Sequence, residues 1–292
     1  MTFPSRLHDR IRATNSRVCL GIDPRPEAHP LTHPDRFVND PAQLAKAVVH
    51  YFRAIIEATE DLVACYKPQA AFFEALGIPG LIALAQLLAD IRSRGVPVLL
   101  DAKRGDIGST AEAYARAYLT DSVFSADALT VNPYLGMNSL EPFITQSVHN
   151  DRGIFVLVKT SNPGNADFQE LQTANGAAMY ERVAERVAET AAANLQGESY
   201  SAVGAVAGAT LPADTLAALR RRMPHSILLL PGYGAQGGTL HAAAEAFDSE
   251  GLGAVVSASR SLTYTSKSED FAAQARAATL SMKDALNRNL EQ

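Results

Sequence analysis

Asp101, Lys103 and Asp106 stand two and three residues apart, where an apolar run beginning at Val96 gives way to polar residues. A lysine between carboxylates is a held cation, because nearby negative charge favours its ionised form and orients it. Lysine and carboxylate side chains clustered in this way point to chemistry carried by those groups. In an extended chain residues i and i+2 share a face, so Asp101 and Lys103 are expected to point the same way. Two other apolar runs end in residues of the same kind, Asp23 and Lys67. For any one of these a helix cap or a solvated loop is the ordinary explanation. Two lysines and three carboxylates at neighbouring strand tips, however, form a costly cluster unless it is used.

A second group lies further along. Residues 231–238 read Pro-Gly-Tyr-Gly-Ala-Gln-Gly-Gly, with Gly232, Gly234 and Gly237 in G-x-G-x-x-G spacing. A dinucleotide site would need an acidic residue at the tip of the next strand, and the run 253–259 has none. Late in a barrel, this loop and Arg260 just past the next run suit a phosphate instead. A plain tight turn and a surface salt bridge are the alternatives for the glycines and the arginine; their joint placement favours phosphate. The 7 histidines form no metal-ligand spacing, and His29 and His33, in a Pro-rich loop, are expected to be solvated. Lysine and carboxylate chemistry with no metal and no cofactor is the expectation.

These residues need elements to bring them together. β-rich runs at 18–23, 62–67, 96–101, 128–132, 154–160, 202–207, 227–231 and 253–257 alternate with helical patterns, the clearest at 41–60, 109–124, 177–195 and 268–286. Ser109 with Glu112 three residues on predicts a capping box. Eight strand–helix units predict an α/β fold, a single (β/α)8 TIM barrel with parallel strands; a doubly wound open sheet is the alternative. A barrel would gather the polar strand tips at one mouth. The domain is expected to span 1–292, with an N-terminal extension at about 1–17 and a long βα loop at about 24–41. Residues 161–171 form another long connection.

Composition sets the outer bounds. The 292 residues are 47% hydrophobic and 20% charged, which excludes wholesale disorder. A net charge of -5 lacks the field of a general nucleic-acid binder. Cys19 and Cys65 lie in apolar runs and fit buried thiols in a reducing compartment. No stretch reads as a signal peptide or membrane span, so the expectation is a cytoplasmic enzyme with neither nucleic acid nor membrane as partner. The residues alone describe a barrel enzyme acting on a small phosphorylated compound through a Lys/Asp cluster.

The D-x-K-x-x-D pattern of Asp101, Lys103 and Asp106 resembles the signature of the orotidine 5'-phosphate decarboxylase family, in its longer bacterial branch. Asp23 in Gly-Ile-Asp-Pro, Lys67 in Cys-Tyr-Lys-Pro-Gln, the segment Thr160-Ser-Asn-Pro-Gly, the glycine loop and Ser259-Arg-Ser follow in the family's order. The resemblance implies conversion of orotidine 5'-monophosphate to uridine 5'-monophosphate (UMP) and CO2, the last step of de novo UMP synthesis. It implies that Lys103 protonates a C6 carbanion, held by Asp101 and Asp106. It places Asp23 and Lys67 on the ribose hydroxyls and Ser161 on the pyrimidine. Gln236 would bridge phosphate and ring, with Gly234 in the same loop and Arg260 on the phosphate. It further implies a homodimer with shared sites, in which Asp106, Ile107 and Thr110 reach into the neighbouring subunit. Sugar-phosphate decarboxylases share the short pattern but use a divalent metal, and here Lys67 stands on the second strand with no added carboxylate ligand. A non-catalytic nucleotide-binding barrel is the other alternative; it has no need of a held proton donor.

Overall fold

A computed structural model describes residues 1–233 and 239–291. Its strands are β1 (Val18–Ile22), β2 (Cys65–Pro68), β3 (Leu99–Arg104), β4 (Ala128–Val131), β5 (Gly153–Lys159), β6 (Val203–Ala207), β7 (Leu228–Pro231) and β8 (Ala254–Ala258). The helices are α1 (Phe3–Thr14), α2 (Pro41–Thr59), α3 (Ala70–Glu74), α4 (Gly77–Ser93), α5 (Gly108–Leu119), α6 (Glu141–His149), α7 (Met179–Ala193), α8 (Ala213–Arg222), α9 (Leu240–Ala244), α10 (Arg260–Thr263) and α11 (Phe271–Leu290). The strands pair in parallel in the order β2-β1-β8-β7-β6-β5-β4-β3. Parallel bridges Tyr66↔Val98 and Gln69↔Asp101 join β2 to β3 and close the sheet into a TIM barrel.

Apolar runs become strands here because both faces are covered. Val18, Leu20 and Ile22 belong to one cluster with the surrounding helices, whereas Cys19, Cys65, Leu99, Ala128, Phe155, Leu229 and Val255 face the barrel interior. Residues 1–17 contribute to that interior. Thr2 caps α1 by accepting the Ser5 N–H at 3.3 Å, and Asn15 ends it in a left-handed conformation (φ 46°). The spacing of Phe3, Leu7 and Ile11 puts all three on one face, buried against the interior side chains. Phe3 meets Phe155 edge-on with centroids 6.1 Å apart. Gly153 is needed beneath it, because a Cβ there would sit 2.4 Å from the Phe3 ring.

Two sequence expectations need correction. Ser109 does not cap α5: the helix begins at Gly108 with Ile107 as its cap residue and no side-chain cap bond, so Ser109 is already inside the first turn. His29 is not solvated. The loop over residues 24–40 folds into three short 3-10 turns, which seat His29 at 1% exposure against the rings of Tyr51 and Phe271, with centroids 4.9 and 5.1 Å away. Its Nδ1 accepts the Leu31 N–H, and burial lowers its pKa. Arg220, in the last turn of α8, is buried and donates to the carbonyls of Gly253, Met223 and Ser226. Among the described residues no helix is long and apolar enough to cross a membrane.

Candidate active site

The C-terminal strand ends surround a cavity of about 340 Å³ lined by Asp23, Lys67, Asp101, Lys103, Ser161 and Arg260 among others. A larger cavity of about 820 Å³ lies at the opposite end, beside Asp127 and Arg152. It carries none of the residues that the chemistry calls for.

Asp101 is the hub of the first cavity. Its Oδ1 accepts Lys103 Nζ at 2.6 Å and the Thr130 hydroxyl at 2.9 Å. Its Oδ2 accepts Lys67 Nζ at 3.0 Å and Gln69 Nε2 at 2.9 Å. Four donors fill the four acceptor positions of a carboxylate, which is what a buried charge requires. Burial alone would raise its pKa, but the ammonium groups of Lys67 and Lys103 outweigh it and hold Asp101 well below the usual carboxylate range. Burial likewise works against the charge on Lys67, but Asp101 and then Asp23 overcome it and hold the pKa above that of an ordinary lysine. The two lysines differ in reach: the Lys67 side chain is 6% exposed, that of Lys103 45%. Lys67 is a mostly buried counter-charge in the cavity wall, and Lys103 offers more of its ammonium to the cavity.

Asp101 and Lys103 do meet, though not through strand alternation. Lys103 has φ 48°, in the left-handed region that a side chain rarely occupies, and the β3–β4 register shifts between Leu100 and Arg104. Thr130 Oγ1 accepts the backbone N–H groups of Ala102 and Lys103 at 3.0 and 2.9 Å, tying this bend to the hub. The backbone turns so that Nζ folds back onto Asp101.

Asp23 lines the cavity at the end of β1, with its Oδ1 buried and without a hydrogen bond among the described residues. Ser161 enters from the segment after β5, and Arg260 from the start of α10. Gly234 and Gln236 lie outside the described residues. Asp106, Ile107 and Thr110 are not among the described residues that line this cavity. Asp106 forms no ion pair with Lys103 among the described residues; its Oδ1 accepts the N–H of Ile107, and Ile107 is 62% exposed.

Residues 16–277 match the model of the family described as orotidine 5'-phosphate decarboxylase / HUMPS family. The orotidine 5'-phosphate decarboxylase of Rhodopirellula baltica is 44% identical over 301 residues, covering 98% of this chain and 99% of the relative. That of Roseiflexus castenholzii is 45% identical over 293 residues, covering 99% of each. The chain belongs to the orotidine 5'-phosphate decarboxylase family. Its activity is orotidine 5'-phosphate decarboxylation, a step of UMP synthesis. The solved OMP decarboxylase of Leishmania donovani superposes with a TM-score of 0.80 at 35% identity, with full coverage of both chains.

Residues that the sequence did not single out line the cavity or support Asp101 from behind it. Gln69 stands two places after Lys67 and shares its carboxylate oxygen. Thr130 was legible as the one hydroxyl in the apolar run of β4. Arg25 lines the cavity with its guanidinium 4.7 Å above the Phe72 ring centroid. That placement depends on how β1 and α3 pack, and no spacing in the sequence signals it.

Proposed function

We propose that decarboxylation here proceeds by metal-free electrostatic stabilisation of a C6 carbanion, with Lys103 as the proton donor. Loss of CO2 from C6 leaves an electron pair in the plane of the ring, where the π system cannot absorb it. A fixed cation beside C6 lowers that charge's energy. A Lys103 N–H bond then breaks, a C6–H bond forms, and the electron pair of the broken bond stays on Nζ as a neutral amine. The observation carrying this reading is the pairing of Lys103 Nζ with Asp101 Oδ1 at 2.6 Å on a side chain still half-exposed to the cavity. Asp101 faces the substrate carboxylate in this arrangement, with Lys67 neutralising it from the other side.

Asp23 and Lys67 take the ribose hydroxyls, Ser161 the pyrimidine, and Arg260 the phosphate together with Gly234 and Gln236. The phosphate is remote from C6, so its binding energy serves closure and transition-state fit. The outward placement of Asp106, Ile107 and Thr110 supports a homodimer in which they complete the neighbour's site.

The test is direct. EDTA-treated protein is mixed with orotidine 5'-monophosphate and the ultraviolet change of the ring is followed, with Lys103→Ala beside it. Metal-free turnover that vanishes in the variant is expected. Turnover that survives in Lys103→Ala removes Lys103 as the donor, and turnover that stops with EDTA overturns the metal-free mechanism.

A further inference from the structure

Lys159, the last residue of β5, is 3% exposed and stands in the chain between Leu157 and Thr160, which line the cavity. Along this strand Phe155 and Leu157 face the barrel interior, while Ile154, Val156 and Val158 join the outer cluster. Alternation would send Lys159 inward after Leu157. The pairing with β6 shifts register between Leu157 and Lys159, and such an irregularity re-aims a side chain. Its ammonium lies 4.9 Å from the Tyr180 ring centroid of α7 and donates to Asn165 Oδ1 at 2.5 Å and Glu170 Oε1 at 2.7 Å.

Both acceptors belong to the segment that begins at Ser161. The same segment is closed on itself by Gln169, whose Oε1 accepts the Thr160 N–H and whose Nε2 donates to the Thr160 hydroxyl, each at 2.8 Å. Backbone bonds from Met179 to Leu171 and from Tyr180 to Gln169 pin its far end to α7. Gly208 lies under Ser161 so closely that a Cβ there would come within 2.8 Å of the Ser161 Cβ. Packing alone would be served by an apolar side chain at 159. A buried ammonium instead needs its acceptors in place, so the shape of the segment and the charge of Lys159 are mutually dependent.

We propose that Lys159 is a positioning residue for the decarboxylation, holding the 161–170 segment in the shape that presents Ser161 to the pyrimidine. This rests on the assignment of Ser161 to the ring made above. Lys159 touches no reacting atom; it acts through Asn165 and Glu170.

The experiment compares two ligands by calorimetry: UMP, and ribose 5-phosphate, which lacks the ring. If Lys159→Met leaves the segment correctly shaped about a tenth of the time, UMP binding weakens about tenfold and ribose 5-phosphate binding changes less than about twofold. Lys159→Arg, which keeps the charge, recovers part of the loss. Glu170→Gln, on a half-exposed side chain, shifts the same ratio in the same direction and decides the matter should Lys159→Met fail to fold. Equal weakening of both ligands, or of neither, overturns the proposal. Ser161→Ala is run in parallel: a selective loss of UMP keeps the ring assignment, so an unchanged ratio in the Lys159 and Glu170 variants then counts against Lys159 alone. An unchanged ratio in Ser161→Ala overturns the ring assignment, and the role of Lys159 with it.

Discussion

The hydroxyl of Thr130 accepts the backbone N–H of Lys103 at 2.9 Å, at a residue whose φ is 48°. A left-handed lysine costs of the order of 1–3 kcal/mol and persists only where its surroundings hold it. Thr130 also donates to Asp101, so one side chain fixes both the bend and the counter-ion. Thr130→Val keeps the shape but loses these bonds. We expect kcat to fall by about tenfold to a hundredfold while UMP binding changes little, since the loss concerns the direction of Nζ. Unaltered kcat in a folded Thr130→Val protein would show that the bend holds without it.

Removing the hub should also destabilise the fold. Asp101→Asn leaves the buried Lys67 without its main counter-charge, a loss of about 3–5 kcal/mol at neutral pH. The pH window follows from the shifts. The folded pKa of Asp101 is depressed, so its contribution is present above the unfolded value of about 3.9 and disappears as pH falls through the lower folded value. The folded pKa of Lys67 is raised, so its contribution is present below about 10.4 and disappears as pH rises through the higher folded value. The stability gap between wild type and Asp101→Asn, measured by urea unfolding, should therefore be flat from about pH 5 to about pH 7 and narrow only above that, where the uncompensated Lys67 of the variant can shed its proton. A gap that closes near neutrality would contradict the assigned charges.

His8 produces a separate acid dependence. Burial, aided by the charge of Arg12, pushes it down to about 4 from 6.5, and its Nε2 is buried without a hydrogen bond among the described residues. Between those values the unfolded chain takes up a proton that the folded chain does not, so stability falls as pH falls through the window. The expected loss between pH 7 and pH 4.5 is about 2 kcal/mol. His8→Phe keeps a ring against Tyr200, whose centroid is 4.8 Å away, and cannot titrate. Its unfolding free energy should lack that part of the slope; an unchanged slope would place the dependence elsewhere.

Arg260→Ala should lower kcat/KM for orotidine 5'-monophosphate by about a hundredfold, the loss of one charge-assisted contact with phosphate. The far-ultraviolet circular dichroism should be unchanged, since Arg260 is exposed. Unchanged kcat/KM would remove Arg260 from the site.

Shared sites can be tested by mixing inactive variants. In a dimer of Lys103→Ala with Asp106→Ala, one site of the two keeps both groups. Random exchange makes half of the dimers hybrid, so about a quarter of wild-type activity should return. No recovery after demonstrated subunit exchange would mean that each chain builds its site alone.

Much of this protein can be read from its residue order. The eight strands follow from β-rich apolar runs whose positions survive in the structure within a few residues, because a parallel barrel strand must be apolar on both faces whatever its neighbours are. The spacing of Asp101, Lys103 and Asp106 and the polar ends at Asp23 and Lys67 are equally local. A barrel carries such strand ends to one mouth. The capping role read at Ser109 failed because a cap depends on where the preceding bend releases the chain, and Gly108 starts the helix one residue sooner.

What only the tertiary structure decided is how these groups are held. Lys103 meets Asp101 through a left-handed turn braced by Thr130, a residue 27 positions away. Lys159 is turned away from the barrel by a register shift and clamps the segment carrying Ser161. His29, a polar residue that the sequence reads as solvated, is buried because aromatic rings from distant elements close over it. Burial, counter-charge and backbone strain are properties of neighbours in space. They arise only once β2, β3, β4 and β5 stand side by side.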